Sequence, residues 1–131
     1  MPRPLCEDHE NVLRAINEAH WDKTKNRASS GLFKGPNTSV SRLLILRKDE
    51  IFEKFSREFT CPVISAGELN VGNLKQIGQE RDFPITVEQD PREDNPAHAE
   101  IPQRINNKRI AYAIIDSMII HPLPAQAVGS P

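Results

Sequence analysis

Two polar segments of this sequence hold residue types that could perform chemistry. The first reads Arg27-Ala-Ser29-Ser30-Gly-Leu-Phe33-Lys34 and runs on to Ser39-Val-Ser41-Arg42. The second reads Asp90-Pro-Arg-Glu-Asp-Asn95-Pro-Ala-His98-Ala-Glu100. Loops on a rigid scaffold carry a disproportionate share of binding residues. We therefore take as candidate binding residues Arg27, Ser29, Ser30, Lys34, Asn95 and His98.

The first segment fits three roles. Arg27 offers a bidentate fork, and the serine hydroxyls beside it could help to cradle a phosphate group, although no P-loop or dinucleotide fingerprint accompanies them. Ser29 or Ser30 could be a nucleophile, but the Gly-x-Ser-x-Gly elbow is absent. The third role, which we favour, is structural: Arg27 pairs with a nearby acid and the serines fix the loop.

His98 is the candidate proton-transfer group of the second segment. An imidazole titrates near neutrality, so it can act as a general base or contact a ligand. The structural alternative is a hydrogen-bonding histidine that fixes the loop after Pro96, with Asn95 forming a turn before that proline. Asp94 and Glu100 are the acidic companions that a catalytic histidine could use.

The sequence predicts neither a metal nor a cofactor. His98-Ala-Glu100 imitates the His-x-Glu of zinc deaminases, but their Pro-Cys-x-x-Cys element is missing because no cysteine follows Cys61. The four histidines show no ligand-like spacing. Cys6 and Cys61 are far apart, which is typical of free thiols in a reducing cytosol.

Composition limits the class of protein further. A chain of 131 residues can build one core. Its formal net charge of -1 gives no case for nucleic acid or an anionic membrane as partner. No apolar run reaches the roughly 18 residues of a membrane span, and the N-terminus lacks the apolar core of a signal peptide. We expect a cytoplasmic protein.

Hydrophobic periodicity predicts the elements that must position these residues. Helices are expected over residues 8–19, from Asp49 onward, over 67–79 and from Ile105 to Met118, and strands over 40–46, 61–65, 83–87 and 98–101. The predicted fold is a single α+β domain over residues 1–122, with three or four short strands and helices packed on the sheet. A flexible tail is predicted over 123–131. The predicted core consists of Ile51, Phe55, Ile85, Val87, Ile110 and Ile114.

The two segments together resemble those of a family of small bacterial proteins that has no settled activity. Members carry an Arg-x-Ser-Ser-x-x-Phe-Lys motif, then a Ser-Val strand start, and an Asp-Pro…Asn-Pro-Ala-His-Ala motif before a final helix. The matching residues here are Arg27, Ser29, Ser30, Phe33, Lys34, Ser39, Val40, Asp90, Pro91, Asn95, Pro96, Ala97, His98 and Ala99. The resemblance covers residues 20–120 and implies a related fold and a shared polar site, but no reaction.

Two functions of different classes follow. The first, which we favour from sequence, is a small binding or regulatory module that meets a protein partner through the loops at 27–34 and 94–100. The second is an enzyme acting on a phosphate-bearing or nucleotide substrate. In that enzyme Arg27 would hold the anion, Ser29 or Ser30 would orient it, and His98 would move a proton. Convergence of Arg27, Ser30 and His98 in one pocket would favour the enzyme, and their placement on different sides of the fold would count against it.

Overall fold

The computed structural model of the protein describes residues 3–58 and 62–123. Three α-helices and eight strands follow one another along these residues. The strands are β1 (Asn11–Asn17), β2 (Trp21–Asp22), β3 (Arg27–Ala28), β4 (Thr38–Arg42), β5 (Val63–Asn70), β6 (Glu88–Gln89), β7 (His98–Ile101) and β8 (Ile119–Pro122). The helices are α1 (Lys48–Glu58), α2 (Val71–Gln79) and α3 (Lys108–Ser117). Short 3-10 turns lie at Glu18–His20 and Ser30–Phe33.

Six of the strands form one antiparallel sheet in the order β6-β7-β4-β1-β5-β8. The central strand β1 pairs with β5 along its whole length, for example Leu13 with Glu68. On its other side β1 pairs with β4, which in turn pairs with β7. Strands β2 and β3 form a separate two-stranded ribbon.

The predicted count of three or four short strands is wrong, because the chain is mostly sheet. The largest error is at residues 8–19, where the structure has strand β1 in place of a helix. Val12, Leu13, Ala15 and Ile16 are all buried, since both faces of this central strand are covered. A strand buried on both faces carries nearly continuous apolar residues. That run imitates the i, i+3, i+4 spacing of a helix.

The other predicted elements agree with the structure to different degrees. The helix from Asp49, the brief strand at 98–101 and the last helix are present, and the weak helix over 67–79 is confined to α2. The expected strand over 83–87 is irregular chain that leads into β6, and β8 was not predicted. Phe59, Cys61 and the tail beyond residue 123 lie outside the described residues.

Side-chain caps help to fix where two of the helices begin. The Asn70 side chain accepts a hydrogen bond from the backbone of Asn73 at the start of α2. Asn107 accepts hydrogen bonds from the backbones of Arg109 and Ile110 at the start of α3. Each cap satisfies backbone donors that lack a partner within the helix.

The sheet has a hydrophobic core on each face. On one face, α1 packs Ile51 and Phe55 against Leu13 and Ala15 of β1. On the other face, α2 and α3 pack against Val12 and neighbouring residues of the sheet. All six predicted core residues are buried, which confirms that prediction. Within residues 3–58 and 62–123, no helix is long and apolar enough to cross a membrane.

Candidate functional site

Strands β4 and β7 place two polar pairs on the α1 face of the sheet. Val40 and Ala99 belong to the core of the opposite face. Because strand side chains alternate, Ser39, Ser41, His98 and Glu100 must therefore point toward α1. The register pairs Ser41 with His98 and Ser39 with Glu100. Antiparallel pairing thus brings the serines of the first polar segment beside the histidine of the second.

A continuous hydrogen-bonded chain joins Asp90, His98 and Ser39. His98 Nε2 lies 3.2 Å from Ser39 Oγ. On its other side, His98 Nδ1 lies 3.1 Å from the Asp90 carboxylate oxygen Oδ2 and 3.1 Å from the Asp90 carbonyl oxygen. The imidazole is 6% exposed, so these partners fix its orientation. Asp90, rather than Asp94 or Glu100, is thus the acidic companion of His98.

The partners of His98 also decide where its protons lie. The carbonyl oxygen and the ionised carboxylate of Asp90 can only accept hydrogen bonds, so Nδ1 carries a proton. In the neutral ring, Nε2 then has a lone pair directed at Ser39, whose hydroxyl donates to it. This is the arrangement in which a histidine can take a proton from a serine hydroxyl.

Arginines hold the carboxylate of Asp90 ionised. Arg3 lies 3.2 Å from Asp90 and 2.9 Å from Glu100, and Arg92 reaches both carboxylates at 3.3 and 3.4 Å. Partial burial alone would raise the pKa of Asp90, but the hydrogen bond and charge of Arg3, with the nearby charges of His98 and Arg92, lower it overall. The negative charge beside His98 is therefore retained at neutral pH.

Asp90, His98 and Glu100 are also the one described group whose ligand atoms lie within 4.8 Å of one another and could hold a metal ion. Both carboxylates already contact Arg3, and Arg92 reaches them as well. A divalent cation would have to displace these guanidinium groups or share the carboxylates with them. The donor set is therefore better matched to the two arginines than to a metal.

Ser39 and His98 open onto a pocket between α1 and the sheet. Its cavity volume is about 210 Å³, and its apolar wall comes from Leu13, Ala15 and Phe55. Its polar wall consists of Ser39, Ser41, Lys54, Arg92, Asn95 and His98. Lys54 Nζ donates to the carbonyl oxygen of Asp94 at 2.6 Å, which ties α1 to the loop before β7. A ligand here would meet a hydroxyl, an imidazole and two cationic side chains.

The predicted binding residues divide between the two faces of the sheet. Asn95 and His98 line this pocket. Arg27 lies toward α3 on the opposite face, with its guanidinium carbon 4.0 Å from the centre of the Tyr112 ring. Ser30 lies beside the same tyrosine, and together with Arg27 it lowers the pKa of the Tyr112 phenol. Lys34 is exposed after the 3-10 turn.

Sequence reasoning missed Ser39 and Asp90 as site residues, although both belong to the polar segments. The signal was alternation in Thr38-Ser-Val-Ser-Arg42 and in His98-Ala-Glu-Ile101, which predicts that polar residues two apart share a face. Nothing local to the sequence around Lys54 marks this residue of α1 as part of a pocket. Comparisons with protein-family models, curated proteins and solved structures find no significant match to this chain.

Proposed function

We propose that the protein is an enzyme that hydrolyses a small anionic ester, with Ser39 as nucleophile and His98 as its base. The observation that carries this proposal is the Asp90–His98–Ser39 chain opening onto one pocket. A nucleophile in hydrogen-bond reach of a base, and a base oriented by a third group, is the pattern of activated serine hydrolases. The contacts of Asp90, His98 and Ser39 alone form this arrangement.

Each group has a defined part in the reaction. His98 Nε2 takes the hydroxyl proton as Ser39 Oγ bonds to the electrophilic carbon or phosphorus. The proton then passes to the departing alcohol oxygen as the ester bond breaks. Water repeats the sequence on the Ser39 adduct, and its proton returns through His98. The Asp90 carboxylate stabilises the imidazolium that forms between these steps.

The pocket favours a small anionic substrate. A volume of about 210 Å³ lies below the range of drug-sized sites, roughly 300–1,000 Å³. Lys54 and Arg92 line the wall near Asn95, where positive charge and an amide could stabilise an oxyanion. The apolar wall suits the short carbon skeleton of the substrate.

The enzyme expected from sequence depended on Arg27, Ser30 and His98 meeting in one pocket, and Arg27 lies across the sheet from His98. The present proposal keeps the enzyme class but rests on a different residue set. Ser39 replaces Ser30 as the working hydroxyl, and Arg92 with Lys54 replaces Arg27 as the anion-binding charge. The protein-partner alternative treats the loops at 27–34 and 94–100 as one recognition surface. Arg27 and His98 lie on opposite faces of the sheet, which favours two separate sites over such a surface. We place the enzyme in the cytoplasm, where the buried Cys6 thiol would stay reduced.

The decisive experiment is labelling with diisopropyl fluorophosphate, followed by intact mass measurement and peptide mapping. We expect one adduct per chain, on Ser39, and none in Ser39→Ala. Ser41→Ala is the matched control, because Ser41 lines the same pocket on the same strand and pairs with His98 in register. It should label like the wild type. His98→Asn should slow labelling by about 100-fold or more, because general-base assistance is worth that much.

Turnover assays then identify the ester. 4-Nitrophenyl phosphate and 4-nitrophenyl acetate are offered to the same variants, with circular dichroism to verify folding. Hydrolysis of either compound that disappears in Ser39→Ala and survives in Ser41→Ala supports the proposal, and the compound hydrolysed assigns phosphoric or carboxylic ester chemistry. Labelling elsewhere than Ser39, or equal labelling rates in wild type and a folded His98→Asn variant, would overturn it.

A further inference from the structure

Arg14 carries a positive charge that the proposed reaction does not use. It lies on β1 between Leu13 and Ala15, so it points to the sheet face opposite the pocket. Its NH2 donates to the Leu32 carbonyl at 2.9 Å and its NH1 to the Ser39 carbonyl at 3.4 Å. Its Nε is buried, with no hydrogen-bond partner in the described part of the chain. Among those residues no carboxylate lies within ion-pair distance of Arg14.

Arg42 is a buried arginine with an anionic partner, and it serves as a comparison for Arg14. It sits on the neighbouring strand and binds Glu10 through two hydrogen bonds of 2.8 and 2.9 Å. Arg14 has only neutral carbonyl oxygens in that role, and burial lowers its pKa to about 10. A buried cation without an anion is unfavourable unless something else supplies the negative charge.

Arg27 provides a second incompletely paired guanidinium on the same face. It stacks on Tyr112, and its Nε is also buried without a hydrogen-bond partner among the described residues. Its one described ion pair is with Asp116, at 3.6 Å, and the Asp116 side chain is 67% exposed. Such an exposed, long pair contributes little. Apart from its contact with Tyr112, the Arg27 guanidinium therefore has only this weak anionic partner among the described residues.

Both arginines reach the segment around the Ser30–Phe33 turn. Arg14 contacts the carbonyl of Leu32, and Arg27 meets Ser30 through Tyr112. Ser29 Oγ and the His20 ring both lie within 4 Å of the position that a side chain on Gly31 would take. Burial and the charge of Arg14 lower the pKa of His20, which favours the neutral form of this imidazole.

We propose that this face binds a phosphate group, with Arg14 and Arg27 as its charge partners and Ser29, Ser30 and Tyr112 as hydroxyl donors. The Arg27 fork and three hydroxyls match the oxygens of phosphate, and the nearby buried charge of Arg14, whose NH1 and NH2 groups are held by carbonyl oxygens, favours its negative charge. The site is independent of the Ser39 pocket, which lies across the sheet. The phosphate could be inorganic or part of a larger ester.

Isothermal titration calorimetry with inorganic phosphate tests the proposal. We expect saturable binding with a Kd of about 1 mM or tighter, a range that calorimetry can measure. Arg27→Gln should weaken binding by about 10-fold or more, because it removes charge-assisted hydrogen bonds. Arg57→Gln is the matched control, since it removes the same charge from the exposed surface of α1. It should bind like the wild type.

Three further variants keep the test independent of folding and of the proposed reaction. Ser30→Ala and Tyr112→Phe each remove one hydroxyl and should weaken binding several-fold while the far-ultraviolet spectrum is unchanged. Ser39→Ala should bind phosphate like the wild type. Failure of the ester hydrolysis proposal would therefore leave the phosphate site unaffected. A parallel titration with adenosine 5′-monophosphate distinguishes the source: much tighter binding indicates a phosphate ester, and equal binding indicates free phosphate. Absence of saturable binding, or equal binding by Arg27→Gln and wild type, would overturn the site.

Discussion

The Glu10–Arg42 pair should be the most sensitive polar contact of the core. Glu10 is 2% exposed and Arg42 is 8% exposed. Both carboxylate oxygens are used, at 2.8 and 2.9 Å, and Glu10 also accepts a hydrogen bond from the Glu7 backbone. Glu10→Gln leaves the guanidinium buried and directs an amide donor toward it. Arg42→Met leaves the carboxylate buried instead.

We expect Glu10→Gln to lower the free energy of unfolding by about 3–5 kcal/mol, the usual result of stranding one member of a buried ion pair. The free energy of unfolding of a native domain is about 5–15 kcal/mol, so the variant should remain folded and its stability measurable. The double variant Glu10→Leu/Arg42→Met replaces both charges with apolar groups. Its loss should be well below the sum of the losses measured for Glu10→Leu and Arg42→Met singly.

The effect should depend on pH in a defined direction. The hydrogen bond from Arg42 outweighs the effect of burial and lowers the pKa of Glu10 in the folded state. A lowered folded pKa contributes stability that is present above the unfolded value of about 4.3 and is lost as pH falls through the folded value. The difference in stability between wild type and Glu10→Gln should therefore be largest at neutral pH and shrink below about pH 4.

Urea unfolding followed by circular dichroism at several pH values measures the stability loss of Glu10→Gln, the loss of the double variant and the pH dependence of the difference from wild type. Glu88→Gln is a suitable control, because Glu88 pairs with Arg3 on a more exposed part of the sheet and should change stability by less than about 1 kcal/mol. A pH-independent difference, or strictly additive single and double variants, would refute the reasoning that the buried charge pair is the source of the effect.

Three other perturbations test packing and reactivity. Phe55→Ala should destabilise by about 3–5 kcal/mol in urea unfolding, because the ring is buried between α1 and β1, and an unchanged midpoint would contradict this. Gly78→Ala should destabilise by about 1–3 kcal/mol despite the better helix propensity of alanine, since its Cβ would clash with the Phe83 carbonyl oxygen; a gain in thermal stability would be the opposing result. Cys6 should resist iodoacetamide at pH 8 until the protein unfolds, as burial raises the pKa of its thiol to about 11, and peptide mapping that finds rapid native-state alkylation would exclude this.

The sequence predicted the helices better than the sheet, and the reason is burial. The helix from Asp49 carries its apolar residues on one face, so the period is clear. Strand β1 is covered on both sides, and its apolar run has no period of two. The shortest strands, such as β2 and β6, consist of two residues each, too few for any pattern to mark. Their existence depends on partners elsewhere in the chain.

The candidate site was half visible in the sequence. His98 and Asn95, which the sequence marks by their types and by the prolines around them, line the pocket. Their connection to Ser39 depends on the β4–β7 register, which is a non-local property. Arg14 was invisible for the same reason that β1 was mispredicted: on a helix it would have been one more solvated charge. Its burial follows only from the central position of its strand.

Strand β1 gives the two proposed sites their separation. Leu13 and Ala15 line the pocket that holds Ser39, while Arg14 between them reaches the opposite face. The charge on the two faces differs in a corresponding way: His98 is backed by carboxylates, whereas Arg14 and Arg27 lack a buried carboxylate partner among the described residues. Because the formal net charge is only -1, this difference between the faces reflects where the charges lie and not an excess of one sign. The alternation of one seven-residue strand thus places the pocket that holds Ser39 and the buried Arg14 on opposite faces of the same sheet.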